Sequence, residues 1–232
     1  MWVIVVAGGD GRRFGGPKQF LPLAGRPVAA WSVDAARSVA DGVVLVVPSR
    51  ALPAAGEGRS TGSAAGEGDA GSLPAPAMGA DLMVAGGPSR SASVRAGLAA
   101  VPDDAAVIVV HDAARPLATG SLFAAVVAAL GDGVDGAIPV LAVVDTVKRT
   151  LGGRVVDTID RDGLVTVQTP QAFTAAALRA AHRSDHEATD DAALVERTGA
   201  TVRTVAGEPH NLKLTGPEDL VVAEALVVGT GR

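Results

Sequence analysis

Four stretches of this 232-residue chain are apolar at nearly every position: WVIVVA from Trp2, GVVLVV from Gly42, AAVIVV from Ala105 and DGAIPV from Asp135. A strand with one face in water alternates apolar and polar side chains, so near-continuous apolar runs fit strands covered on both faces. Helical patterns separate them. RPVAAWSVDAARSVA has Pro27 near its start, where a missing N–H costs little. SRSASVRAGLAAV carries Val94, Leu98 and Val101 at i, i+4 and i+7, and TGSLFAAVVAAL and GPEDLVVAEALVV also read as helices. Strand and helix in alternation predict an α/β fold, a Rossmann-like, mostly parallel sheet flanked by helices, in one domain over residues 1–232. In such sheets ligands bind beyond the carboxyl ends of the strands.

Composition narrows the possible functions. Aromatic residues make up 3% of the chain, so Val, Ala, Leu and Ile must build the core. The net charge of -5 argues against the broad basic surface that a sequence-independent grip on nucleic acid requires, and any phosphate must be held by a local cluster. With no cysteine, disulfides, thiolate nucleophiles and cysteine-ligated zinc are excluded. The opening MWVIVVAGG lacks a basic leader, and no apolar run is long enough to cross a bilayer, so a cytoplasmic protein without membrane partners is expected.

Two segments break the alternation. Residues 49–79 are rich in Gly, Ala, Ser and Pro with no apolar period, and read as a flexible loop insertion without a catalytic role. Residues 141–163 contain VDTVKRTLGGRVVDTIDRDG, two β-rich runs around Gly152–Gly153, which predicts a protruding hairpin arm. A lone hairpin is marginal in water, so the arm is expected to pack on something, such as a second subunit.

The first apolar run leads straight into VVAGGDGRRFGGPKQFLPLAG, beginning at Val5. Glycines after a strand let the backbone come close to a ligand, and exposed N–H groups there can cradle phosphate oxygens. A P-loop needs Gly-Lys followed by Ser or Thr, but Lys18 lies between Pro17 and Gln19. A dinucleotide fingerprint needs a third glycine where Phe14 stands, and the second strand ends at Pro48 in place of an acid. What remains is a glycine turn carrying cations. Arg13 and Lys18 suit the β- and γ-groups of a triphosphate, whereas Arg12 reads as a solvated charge.

AGGDGRRFGGPKQFLPLAGRP resembles the signature loop of sugar-phosphate nucleotidyltransferases. The ordered set GGPSRSASVRAGL, VVHDAARP, DTVKR, QTPQAF, TDDAALVE and NLKLTGPEDL narrows the resemblance to the 2-C-methyl-D-erythritol 4-phosphate cytidylyltransferase family of the non-mevalonate isoprenoid pathway. It runs from about Val3 to Leu226 and skips the 49–79 loop. The glycine loop alone is common to many nucleotidyltransferases; the set with HDAARP at its centre is far more specific.

The resemblance implies a division of labour. CTP would be held by Ala7, Gly8, Gly9 and Gly11, by Gly87 and Ser93 at the base, and by Asp112 and Ala113 at the ribose and triphosphate. Asp112, at a strand's carboxyl end, suits Mg²⁺, which prefers hard oxygen ligands; an ordinary turn would also place an Asp there. Arg13, Lys18 and Lys213 would be the catalytic cations, with Lys213 at the reacting α-phosphate in a short β-rich run. Arg115, Thr146, Arg161, Thr169, Thr189 and Asp190 would contact the sugar-alcohol phosphate, Thr146 and Arg161 through an arm that reaches a partner in a homodimer. Lys148 and Arg149 read as solvated arm charges. Simpler readings compete: Ser89 and Ser91 as helix caps, Thr189 as the cap of a helix with acids in its first turn, and a structural His111. His182 and His186 have helical metal-pair spacing, but without a third ligand they read as an exposed polar face. Pro88 and His210 stand where relatives often carry acids, so no role is transferred to them.

The expected reaction is CMP transfer from CTP, with Mg²⁺, to 2-C-methyl-D-erythritol 4-phosphate. The alternatives are a ribitol 5-phosphate cytidylyltransferase, a nucleotide-binding module without turnover and, more remotely, a dinucleotide oxidoreductase.

Overall fold

The computed structural model describes residues 1–9, 14, 16–52 and 78–230. Gly11, Arg12 and Arg13, and residues 53–77 of the expected loop, lie outside the described residues. The first apolar run forms β1 (Trp2–Val6), near the middle of an eight-stranded sheet. Its side chains alternate between two cores. Val3 and Val5 pack with Ala29, Val33 and Phe123, while Ile4 points the other way, among Val94, Leu98, Leu178 and Val195. All three are fully buried, and each such side chain contributes about 1.5–3 kcal/mol relative to exposure. Both faces of the sheet are covered, as the unbroken apolar runs require.

Parallel pairing joins β6 (Val107–Asp112), β1, β4 (Gly42–Val47) and β5 (Leu82–Ala85) in that order. Helices α1 (Val28–Arg37) and α3 (Gly120–Ala128) cover one face; α2 (Arg90–Ala100), α4 (Ala175–Ala181) and α5 (Asp191–Glu196) cover the other. Beyond β6 the sheet becomes mixed. The strand β11 (Gln171–Thr174) runs antiparallel to both β6 and β7 (Gly136–Ala142), β10 (Val165–Val167) is antiparallel to β7, and β12 (Val202–Ala206) takes β7's other edge in parallel. A small pair, β2 (Pro22–Leu23) with β3 (Arg26–Pro27), follows the glycine loop. The last helix, α6 (Pro217–Thr230), packs through Ala223 and Val227 against Leu23 and Val28.

The arm is a hairpin, β8 (Val147–Leu151) with β9 (Arg154–Ile159). Gly152 and Gly153 sit at φ of +56° and +76°, the left-handed pair a tight two-residue turn demands. Among the described residues the two strands pair only with each other, and Leu151, Val155 and Val156 are exposed.

Four local expectations change. Ser89 caps α2, accepting the Ala92 N–H at 3.1 Å, but Ser91 lies one residue inside the helix and is buried, its hydroxyl accepting the Ala188 N–H. Asp190, not Thr189, caps α5, because the helix begins one residue later than the TDD motif suggested. His182 is buried against Asp191 rather than exposed beside His186. Lys213 belongs to no strand: residues 211–215 are irregular and tied to the sheet by Leu214 N–H donating to the Ala114 carbonyl at 2.7 Å. At the edges of the expected loop, Ser49–Ala51 forms a single 3-10 turn, and Ala51 and Met78 are buried.

Candidate active site

The carboxyl ends of β1, β4, β5 and β6 open onto one cleft of about 790 Å³, where the strand-end segments following each of them meet. One wall is glycine backbone. A Cβ on Gly87 would lie 2.5 Å from the Ala92 Cβ, so only glycine lets the chain leaving β5 pass this close to the first turn of α2. The Ser93 hydroxyl holds that crossing: its oxygen accepts the Gly87 N–H at 3.2 Å and its proton goes to the Ser89 carbonyl at 2.8 Å. The Gln19 side-chain amide donates to the Gly9 carbonyl at 3.0 Å, tying the end of the segment after β1 to the 3-10 turn Lys18–Phe20.

Cations also line the cleft. Lys18 Nζ donates to the Leu214 carbonyl, bringing the first loop against the segment that carries Lys213. Lys213 Nζ donates to Asp112 Oδ2 at 2.7 Å, and Arg90 Nε donates to Asp112 Oδ1 at 3.0 Å. Burial alone would raise the Asp112 pKa, but the Arg90 and Lys213 charges overcome it and hold the carboxyl well below the usual carboxylate range. Burial likewise pulls Arg90 down, and the charges of Asp112 and Asp191 more than restore it, so Arg90 stays cationic.

Behind Asp112 a second set of bonds fixes its backbone. The Asp112 N–H donates to Thr169 Oγ1 at 3.0 Å, and Thr169 Oγ1 lies 3.1 Å from His111 Nδ1. His111 Nε2 faces the Arg115 carbonyl at 3.2 Å. A carbonyl only accepts, so Nε2 carries the proton and Nδ1 accepts from the threonine. Burial pushes His111 down to about 4, against the opposing pull of Asp112, which keeps the ring neutral.

Gly11 and Arg13 lie outside the described residues, and the other residues singled out from sequence fall into three groups. Ala7, Gly8, Gly9, Lys18, Gly87, Ser93, Asp112, Ala113 and Lys213 line the cleft. Arg115, Thr169 and Asp190 lie outside its lining: Arg115 donates to the Asn211 carbonyl at 2.7 Å, Thr169 supports Asp112, and Asp190 accepts from Gln171 at 3.0 Å while capping α5. Thr146, Arg161 and Thr189 are exposed, with Arg161 donating to the Val144 carbonyl of the arm. The motif reading passed over two cations that line the cleft, Arg50, at the edge of the expected loop, and Arg90. The signal for Arg90 was present, since an arginine in the first turn of a helix opposes the helix dipole and needs a compensating anion.

A profile of the family described as IspD, 2-C-methyl-D-erythritol 4-phosphate cytidylyltransferase, matches residues 1–229. The chain belongs to the 2-C-methyl-D-erythritol 4-phosphate cytidylyltransferase family. Within that family it is 43% identical over 229 residues to a 2-C-methyl-D-erythritol 4-phosphate cytidylyltransferase of Nocardia farcinica, covering 97% of this chain and 92% of the relative. It is 44% identical over 236 residues to a bifunctional enzyme IspD/IspF of Nitratidesulfovibrio vulgaris, and there 97% of this chain spans only 57% of the relative. The crystal structure of a 2-C-methyl-D-erythritol 4-phosphate cytidylyltransferase from Thermus thermophilus superposes with a TM-score of 0.74 at 35% identity, covering 97% of this chain and 98% of the other. The mostly parallel α/β fold is thus the fold of a solved member of this family. No described helix is long and apolar enough to cross a membrane.

The resemblance also implies a divalent cation. Among the described residues no cluster of three His, Cys, Asp or Glu side chains stands ready for a metal, and Asp112 is the one carboxylate lining the cleft. A single ionised carboxylate fits Mg²⁺, which typically takes one or two protein carboxylates and completes its shell with phosphate oxygens and water.

Proposed function

We propose that this chain transfers CMP from CTP to 2-C-methyl-D-erythritol 4-phosphate and releases pyrophosphate. An oxygen of the acceptor's phosphate attacks the α-phosphorus of CTP in line, the α–β bridging P–O bond breaks, and its electron pair leaves with pyrophosphate. The protein supplies no nucleophile; it positions the reactants and neutralises developing charge. Lys213 stands at the α-phosphoryl group, and Lys18, with Arg13 from the same loop, at the departing phosphates. Asp112 would hold Mg²⁺, which neutralises charge on the triphosphate oxygens when bound. The backbone around Gly87, kept in shape by Ser93, takes the cytosine edge. Arg115, Thr169 and Asp190 stand nearest the acceptor, while Thr146 and Arg161 ride on an exposed arm suited to reach the cleft of a second copy in a homodimer. A cytoplasmic location agrees with soluble substrates.

The observation that carries this reading is the convergence of Lys18, Lys213 and Arg90 on a cleft walled by glycine backbone at the carboxyl ends of parallel strands. The test is pyrophosphate release measured with each nucleoside triphosphate, Mg²⁺ and either methylerythritol phosphate or ribitol 5-phosphate. Release confined to CTP with methylerythritol phosphate supports the proposal. Preference for ribitol 5-phosphate moves the chain to the neighbouring cytidylyltransferase class, and no release with any pair makes it a binding module.

A further inference from the structure

The charge on Asp112 is only the outer part of a longer chain of contacts. Arg90 is held from both sides: its Nε donates to Asp112 Oδ1 at 3.0 Å and its Nη1 to Asp191 Oδ2 at 2.8 Å. Asp191, at the start of α5, is completely buried, and its other oxygen lies 2.8 Å from His182 Nε2. His182 is itself buried, just past α4, and among the described residues its Nδ1 has no hydrogen-bond partner. A carboxylate only accepts, so Nε2 is the donor whatever the state of Nδ1. The contacts run without a break from the interior to the cleft: His182, Asp191, Arg90, Asp112, Lys213.

Each link is directional. A guanidinium is a rigid planar fork, so fixing Nη1 on Asp191 also fixes the direction in which Nε presents its proton to Asp112. Asp191 can hold that fork only if its carboxylate cannot rotate, and the His182 bond to the second oxygen prevents rotation. Asp112 in turn presents its remaining oxygen to Lys213. Burial argues that these bonds are strong, because an unpaired buried charge is costly and the low local dielectric favours the paired arrangement.

We infer that His182 and Asp191 are positioning residues for the reaction proposed above: through Arg90 they set where Asp112 and Lys213 stand when the triphosphate enters. Neither touches the cleft. Their loss displaces the groups that hold the nucleotide and so changes its affinity, whereas a purely structural role lowers the folded fraction, which scales kcat per mole of protein and leaves KM alone.

The experiment compares His182→Leu, which removes the donor, with His182→Gln, whose amide nitrogen can stand in for Nε2. For the leucine variant, folded by circular dichroism, KM for CTP is expected to rise at least fivefold and kcat to fall about tenfold; the glutamine variant is expected to recover both to within about threefold of the unmodified chain. A leucine variant with KM for CTP within twofold of the parent, or a glutamine variant as impaired as the leucine one, overturns the inference. Should the leucine variant not fold, Asp191→Asn carries the test, since it keeps the shape and removes the charge facing Arg90: a fivefold rise in the CTP dissociation constant by calorimetry supports the inference and an unchanged constant overturns it. Calorimetry needs no turnover, so the two proposals fail separately. A parent that binds CTP but releases no pyrophosphate removes the proposed reaction, and an active parent with indifferent variants removes only the positioning role.

Discussion

Lys213 and Asp112 lie 101 positions apart in the chain and 2.7 Å apart in space. Both were legible one at a time: an aspartate at the end of an apolar run, and a lysine between two leucines, where an unpaired charge is rare. Their pairing was not, because nothing local encodes a contact closed by the whole fold, and Arg90 was missed because the neighbouring serines of its motif explain a helix start without it. If Lys213 stabilises the α-phosphoryl group as charge builds, Lys213→Ala slows turnover roughly 10²–10³-fold while CTP still binds, measurable as kcat beside a calorimetric affinity; unchanged turnover removes it from the mechanism. His111 gives a second prediction. Its folded pKa of about 4 lies below the unfolded value of about 6.5, so between those limits the unfolded chain binds a proton that the native one does not. Stability from this group is therefore complete above about pH 6.5 and declines as pH falls toward 4, by about 3 kcal/mol in all. Asp112, held low, stays ionised throughout that window. The melting temperature is expected to drop between pH 7 and pH 5, and His111→Gln to show a shallower drop; equal slopes would contradict the neutral buried ring.

At the scale of elements, the arm was the easiest to read because its turn is encoded locally, in two adjacent glycines flanked by β-rich runs. Helix starts were harder. Asp190 and Thr189 are both good caps, and which one serves depends on where α5 meets the sheet, a tertiary matter. The irregular path of residues 211–215 is likewise set by the Ala114 and Lys18 contacts and not by the β-propensity of LKLT. The arm's exposed Leu151, Val155 and Val156 predict an interface with a second copy. Leu151→Glu combined with Val155→Glu is expected to convert a dimer into a monomer in sedimentation velocity while the melting temperature of the core stays within a few degrees. A dimer of undiminished affinity would contradict the arm's proposed role.

Across the whole molecule, the long apolar strands were readable and the short antiparallel ones were not. The strands β1, β4, β6 and β7 advertise burial on both faces through unbroken apolar runs. The strands β10 and β11 are three and four residues long with polar residues among them, too short for any period to stand out, and their antiparallel direction follows from the loops that return them to β6 and β7. The site depends on the parallel strands, since the cleft opens where β1, β4, β5 and β6 end. A crystal structure of the protein with CTP and Mg²⁺ measures the central claim directly. The account predicts a triphosphate in hydrogen-bond contact with Lys18 and Lys213, a cation on Asp112 and the cytosine against Gly87; a nucleotide bound elsewhere, with both lysines turned away from its phosphates, would contradict it.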